Sequence, residues 1–189
     1  MNLTIAQRQL LLDAFPFLRP RNLWTGKLIE DCDWIVGEGL PQGWLRLFLM
    51  YCKNLKLHLV ATNTLDTFRF TDVKEKYGRL CLYNHGEPES AEFLTILYER
   101  YSAHVCLQCG KPATYTTKGW IMPVCEQCLN TTTMLPYEVE KLPKTKELRV
   151  YMYTCGTSRN VKISMRHLER QYLKALSMTE EEFINYITK

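Results

Sequence analysis

The sequence predicts an α+β fold: a helix and β-hairpin core with an embedded four-cysteine ribbon and a C-terminal β-hairpin plus helices. Three observations carry that prediction. Apolar residues recur at helical spacing near both ends of the chain. Alternating segments come in pairs joined at glycine-containing turns. Two Cys-x-x-Cys clamps lie 15 residues apart.

Taken in order, Thr4-Ile5-Ala6-Gln7 has the pattern of a capping box, and Leu10, Leu11, Ala14 and Phe17 follow at roughly helical spacing. A short first helix should therefore end near Pro16. Residues 18–43 hold two prolines and four glycines and read as irregular, with one helical turn at most. Pro41 and Gly43 then introduce a buried helix with apolar positions 44, 45, 48, 51, 52 and 55. The period changes to two at Phe68-Arg69-Phe70-Thr71-Asp72-Val73 and again in part at Leu80-Cys81-Leu82-Tyr83. Gly78 lies between them, so a β-hairpin is expected. A helix over 90–102, with Phe93, Leu94, Ile96, Leu97 and Tyr101 inward, delivers the chain to Cys106. Residues 130–146 read as a polar connector. Residues 147–154 and 160–164 pair as a second hairpin across Gly156-Thr157-Ser158-Arg159, and helices over 165–176 and from Thr179 complete the chain. Thr179-Glu180-Glu181-Glu182 is a second capping-box pattern. The organisation expected is core 1–104, ribbon 105–130 and extension 131–189, packed as one unit.

Composition narrows the class further. Hydrophobic residues make up 46% and charged residues 23%, so the disordered class is excluded. No run approaches the length of a membrane span; the densest, residues 45–52, contains Arg46. The N-terminal sequence lacks the pattern of a secretory signal, and a cytoplasmic location, in a bacterium or an infected bacterial cell, is the expectation. The formal charge is +4, with 7 basic and 5 acidic residues in 1–65, 7 and 8 in 66–130, and 10 and 7 in 131–189. No polybasic tail is present.

Eight cysteines without an export signal favour metal binding over disulfides. Cys106-Leu107-Gln108-Cys109-Gly110 and Cys125-Glu126-Gln127-Cys128 are both spaced for tight turns that aim two thiolates at one ion. Between them, 114–117 and 120–124 read as short strands joined at Lys118-Gly119, a hairpin that would bring the clamps together. The expected ligand set is Cys106, Cys109, Cys125 and Cys128 around one structural Zn²⁺, with iron or an iron–sulfur cluster as runner-up. Four thiolates and one Zn²⁺ would lower the formal charge to +2. Two clamps at this separation argue against an isolated redox pair. Four cysteines also close the coordination shell that a catalytic zinc leaves open. No His-x-Glu or Cys-x-Glu deaminase element precedes a clamp, and no histidine lies between the clamps as an HNH-type nuclease requires.

Other constellations are weaker. Lys162, Arg166, Arg170 and Lys174 recur every four residues and, on a helix, would form a basic stripe. The plain reading is a solvated amphipathic face; contact with phosphates or with an acidic protein surface is the alternative. Lys74, Lys76 and Arg79 surround Tyr77 at the first hairpin turn, where charge and stacking could hold a nucleic acid, although a charged hairpin tip is the simpler reading. Cys81 with His85 is read as a buried strand cysteine rather than a nucleophile with its base. Trp44 and Trp120, each preceded by glycine, are expected to be core anchors.

The order Gly37-Glu38-Gly39, Gly43-Trp44, Asp72-Val73-Lys74-Glu75-Lys76-Tyr77-Gly78-Arg79-Leu80, Tyr83, Cys106-x-x-Cys109-Gly110, Gly119-Trp120 and Cys125-x-x-Cys128 resembles a group of small phage and prophage zinc-ribbon proteins. Those proteins read VKEKFG-x-LRFY, then CxxCG, GW and CxxC or CxxH. The resemblance spans about residues 35–130. The chain departs from it at Tyr77, where phenylalanine is usual, at Cys81, where arginine or phenylalanine is usual, and in the tail 131–189. The resemblance implies a zinc fold and a phage or bacterial origin, and it carries over no catalytic residue. The function expected is a non-enzymatic interaction protein that binds a host protein. The alternative is a nucleic-acid-binding protein using the basic stripe. An enzyme ranks last, because no paired acids or nucleophile with its base can be named.

Overall fold

The computed structural model describes the chain apart from residues 23, 31, 33, 38, 132–137, 144–146 and 155–156, and describes backbone alone at 131, 147–154 and 157–163. Its mixture of helices and small antiparallel sheets is the α+β class expected. Helix α1, Ile5–Ala14, opens with the Thr4/Gln7 capping box, each residue's side chain accepting from the other's backbone N–H. A 3₁₀ turn at Pro16–Leu18 follows and buries Phe17 and Leu18.

Pro41 is extended rather than helical, and a 3₁₀ turn, Gln42–Trp44, intervenes before α2, Leu45–Ala61. This helix is longer than the apolar pattern indicated. It ends where Asn63 takes a left-handed conformation. Leu47, Leu49 and Met50 are buried in addition to the expected face, so its first half is enclosed on all sides. Helices packed on several sides of α2 explain why a single stripe could not describe it.

Strands β1, Arg69–Lys76, and β2, Arg79–His85, form the expected hairpin. Lys76 pairs with Arg79, and both intervening residues, Tyr77 and Gly78, have positive φ. That combination is a type I′ turn, whose twist suits a two-residue hairpin. Phe68 and Phe70 share one face and meet Phe17 edge-on, while Phe48 and Tyr51 of α2 approach Phe70. Helix α3, Glu89–Ser102, turns Ala91, Thr95, Tyr98 and Tyr101 inward. The expected face is thus rotated: of the residues predicted inward only Tyr101 is buried, and Phe93, Leu94, Ile96 and Leu97 lie at its margins. Small Ala91 and hydroxylated Thr95 permit close approach to α2, where the Thr95 and Tyr51 hydroxyls lie 2.7 Å apart.

The ribbon contains β3, Tyr115–Thr117, and β4, Pro123–Val124, followed by α4, Glu126–Thr131. The connector after it is not merely polar linkage. It supplies β5, Val139–Lys141, which pairs with β3 to give the sheet order β4-β3-β5. Strands β6, Glu147–Thr154, and β7, Thr157–Ser164, form the second hairpin. The second strand starts at Thr157, earlier than expected, because pairing continues to Thr154 opposite Thr157.

Helices α5, Arg166–Leu176, and α6, Glu180–Thr188, close the chain, the latter on the predicted Thr179/Glu182 capping box. Leu168, Tyr172, Ala175, Phe183 and Ile187 join residues of α1, α2 and α3 in one apolar core. Arg46 ties these helices to α2: its guanidinium donates to the carbonyls of Ala175 and Met178 and lies 4.5 Å from the Phe183 ring centroid.

Candidate metal centre

The first clamp is built at the end of α3. Val105 bridges to Pro112, the Cys106 N–H donates to the Lys111 carbonyl at 2.8 Å, and the Gly110 N–H donates back to the Cys106 carbonyl at 2.9 Å. Gly110 turns the chain with φ +77, a conformation that costs other residues strain. The second clamp lies where β4 enters α4. There the Cys128 N–H points at the Cys125 sulfur at 3.4 Å. Two backbone bonds align the clamps, Leu107 N–H to the Pro123 carbonyl and Thr114 N–H to the Val124 carbonyl.

The four sulfurs of Cys106, Cys109, Cys125 and Cys128 all lie within 4.8 Å of one another. The Cys109 and Cys125 sulfurs are 3.6 Å apart, far beyond a disulfide length of about 2.05 Å. A tetrahedron with metal–sulfur bonds of about 2.3 Å has edges of about 3.8 Å. The cluster therefore has the dimensions of a one-ion site and could hold a metal ion. Among the described residues it is the only such grouping of cysteine, histidine and acidic side chains.

Burial shapes its electrostatics. Desolvation raises the Cys109 and Cys128 thiols above the usual cysteine range, and the neighbouring sulfurs raise Cys128 further. At Cys125 burial also opposes ionisation, but the Cys128 N–H and the surrounding thiols outweigh it and lower the value.

The first clamp is also fastened to the main core. The Trp44 indole donates to the Val105 carbonyl at 2.8 Å, the Gly43 N–H to the Leu107 carbonyl at 3.0 Å, and the Tyr172 hydroxyl to the Gly110 carbonyl at 2.7 Å. A Cβ on Gly43 would fall 2.3 Å from the Cys106 carbonyl oxygen, so only glycine admits this approach. The ribbon's own core is small: Cys106, Cys125 and Cys128 with Met122 and Val124, and Leu107, Tyr115 and Leu129 at its edge.

The remaining predicted residues are not brought to the cluster. Arg166, Arg170 and Lys174 are exposed on α5, but Lys162 lies on β7 opposite Arg149, which breaks the helical stripe of four. The interruption comes from β7 continuing to Ser164, one residue before the helix can begin. Lys74 is engaged by Asp72 and lies 5.2 Å from the Tyr83 ring centroid, whereas Lys76 and Arg79 are exposed at the hairpin end. Cys81 is half-buried, and burial raises its thiol, followed by the nearby Glu99 carboxylate; this is the opposite of nucleophile activation.

Trp44 is the predicted core anchor, with no exposed surface. Trp120 is not: it is 66% exposed, because the strand break around Gly119 turns it outward while Met122 fills the ribbon core. A cavity of about 520 Å³, lined by Tyr101, His104, Tyr115, Glu126, Lys141 and Glu169 among others, opens between α3, the ribbon sheet and α5. No local motif announces it, since its walls come from five separated segments.

No protein-family model matches the chain, and no curated protein or solved structure is found to be similar to it. Among the described residues, no helix is long and apolar enough to cross a membrane.

Proposed function

We propose that the protein is a non-enzymatic recognition protein, stapled by one structural zinc ion, that works by binding a macromolecular partner. The observation that carries this reading is the four-sulfur cluster at the spacing of a tetrahedral site. An all-cysteine tetrahedron suits zinc or iron. Sulfurs this close suit one ion better than a multinuclear cluster, and zinc is the ion for which closed four-cysteine sites are commonest. With every coordination position taken by protein, the metal offers none to substrate or activated water. Its contribution is folding free energy for a ribbon whose apolar core is too small to stand alone. Function then falls to the surface that the ribbon and its neighbours present.

The test has two parts. Elemental analysis of purified protein should give one zinc per chain, and Cys109→Ser should lose it and melt at a lower temperature. A Cys109→Ser variant that keeps metal and melting profile would refute the assignment. Affinity capture from bacterial lysate, half of it nuclease-treated, then classifies the partner. A protein that survives nuclease is the host-protein partner the sequence suggested; material absorbing at 260 nm that vanishes with nuclease is nucleic acid. Capture of neither overturns the recognition reading.

A further inference from the structure

The two hairpin ends nearest the ribbon carry exposed rings that the fold does not explain. Tyr77 occupies the first turn position between β1 and β2 with φ +51, where asparagine, aspartate or glycine is preferred. A bulky residue in that left-handed region costs on the order of 1 kcal/mol. Its side chain is 75% exposed and so contributes little burial in return. Among the described residues, the other left-handed non-glycine position, Asn63, has a residue type that tolerates it. Trp120, after Gly119 at φ +80, is 66% exposed and Ile121 44% exposed on the ribbon turn.

These two turns abut. A Cβ placed on Gly78 would lie 2.6 Å from Ile121 Cγ2 and 3.1 Å from the Ile121 carbonyl oxygen, so the residues following Tyr77 and Trp120 touch directly. Residues 76–79 read Lys-Tyr-Gly-Arg and residues 118–121 read Lys-Gly-Trp-Ile, giving three cations and no acid in the two tips. Lys76, Arg79 and Lys118 are all exposed, and the Lys76 ammonium lies 5.7 Å from the Tyr77 ring centroid. Of the nearby acids, Glu75 accepts the Gly78 N–H at 2.7 Å. Glu138 meets Lys118 at 3.1 Å, an exposed pair of the kind that contributes little and yields to a stronger anion.

Resting on the recognition reading above, we infer that the paired tips form a binding surface for single-stranded nucleic acid, with Tyr77 and Trp120 stacking bases and Lys76, Arg79 and Lys118 meeting phosphates. Aromatic rings interleaved with cations on an open surface match single strands, whose unpaired bases present flat faces between charges. A protein partner fits less well. Lysine is depleted from the cores of protein interfaces, and their aromatic hot spots sit in packed pockets rather than on turn tips.

The experiment uses the metal-loaded full-length chain with labelled oligothymidylate, oligouridylate and a duplex of equal length at low salt. Metal content and thermal melting are recorded for every variant. Single strands should bind better than duplex and quench tryptophan fluorescence, with the quench reduced in Trp120→Phe. Tyr77→Ala and Trp120→Ala should each weaken binding roughly 5- to 150-fold. Lys76→Gln and Lys118→Gln should each flatten the slope of log K against log salt by about 0.7. Tyr77→Asn separates ring from turn, because asparagine suits the left-handed position: it should melt no lower than wild type yet bind as poorly as Tyr77→Ala. Metal-loaded protein that binds no single strand, binds duplex equally well, or is indifferent to both ring substitutions overturns this surface while leaving the zinc assignment standing. Protein that holds no metal overturns the earlier reading instead.

Discussion

Glu99 shows how one residue's environment can be read as a pH dependence. Its carboxylate accepts the Leu82 N–H at 2.8 Å on the inner side of the hairpin, and burial raises its pKa despite that bond and the nearby Arg100 and Arg79. A raised carboxylate pKa means the folded state holds the proton more tightly than the unfolded state. Its ionisation therefore costs stability, a cost absent below the unfolded value and fully present once pH exceeds the folded value. Glu99→Gln, which can keep the Leu82 bond, should raise Tm at neutral pH, and the gain should shrink as pH falls through the carboxylate range. A gain of equal size at both ends of that titration would contradict the burial argument. Gly43 sets a second limit at this scale. Gly43→Ala drives a methyl into the Cys106 and Leu107 carbonyls, and the lost fit should cost about 1–3 kcal/mol in denaturant unfolding.

At the scale of elements, the two clamps are held by different means. The first is bonded to the main core through Trp44, Gly43 and Tyr172, whereas the second reaches that core chiefly through the ribbon and its cysteines. Chelation should consequently release the ribbon unevenly. Hydrogen exchange after metal removal should speed up across β3, β4 and α4, while amides of α2 and α3 stay protected. Uniform loss of protection would show that the metal supports the entire fold. Acidification should act in the same way as chelation, since thiolate ligands must lose their protons to bind metal.

For the whole molecule, the terminal elements meet. Helix α6 packs on α1 and α2, and the Met1 ammonium lies 3.7 Å from the Glu180 carboxylate. Phe183 is fully buried between them, under the Arg46 guanidinium. Phe183→Ala should cost about 3–5 kcal/mol and lower a single transition, because the segment beyond the ribbon shares the core of the segment before it. Two separate transitions, with only one displaced, would instead mark the tail as an independent unit.

Sequence alone determined the local features of this protein: both capping boxes, the two hairpins, the paired clamps and their four-sulfur set. The caps, turns and individual clamps rest on neighbours within a few residues, and the 15-residue spacing of the clamps carries their pairing, so cap chemistry, strand alternation and turn geometry suffice. Tertiary structure decided the rest. It rotated the buried face of α3, enclosed the first half of α2, recruited β5 into the ribbon, and cut the basic stripe by keeping Lys162 in β7. It also separated two tryptophans with the same preceding glycine, burying Trp44 at the α2–ribbon junction and leaving Trp120 exposed on a turn. The difference is physical: burial and cross-strand pairing depend on which distant surfaces arrive, and a residue's own neighbours in the chain do not carry that information.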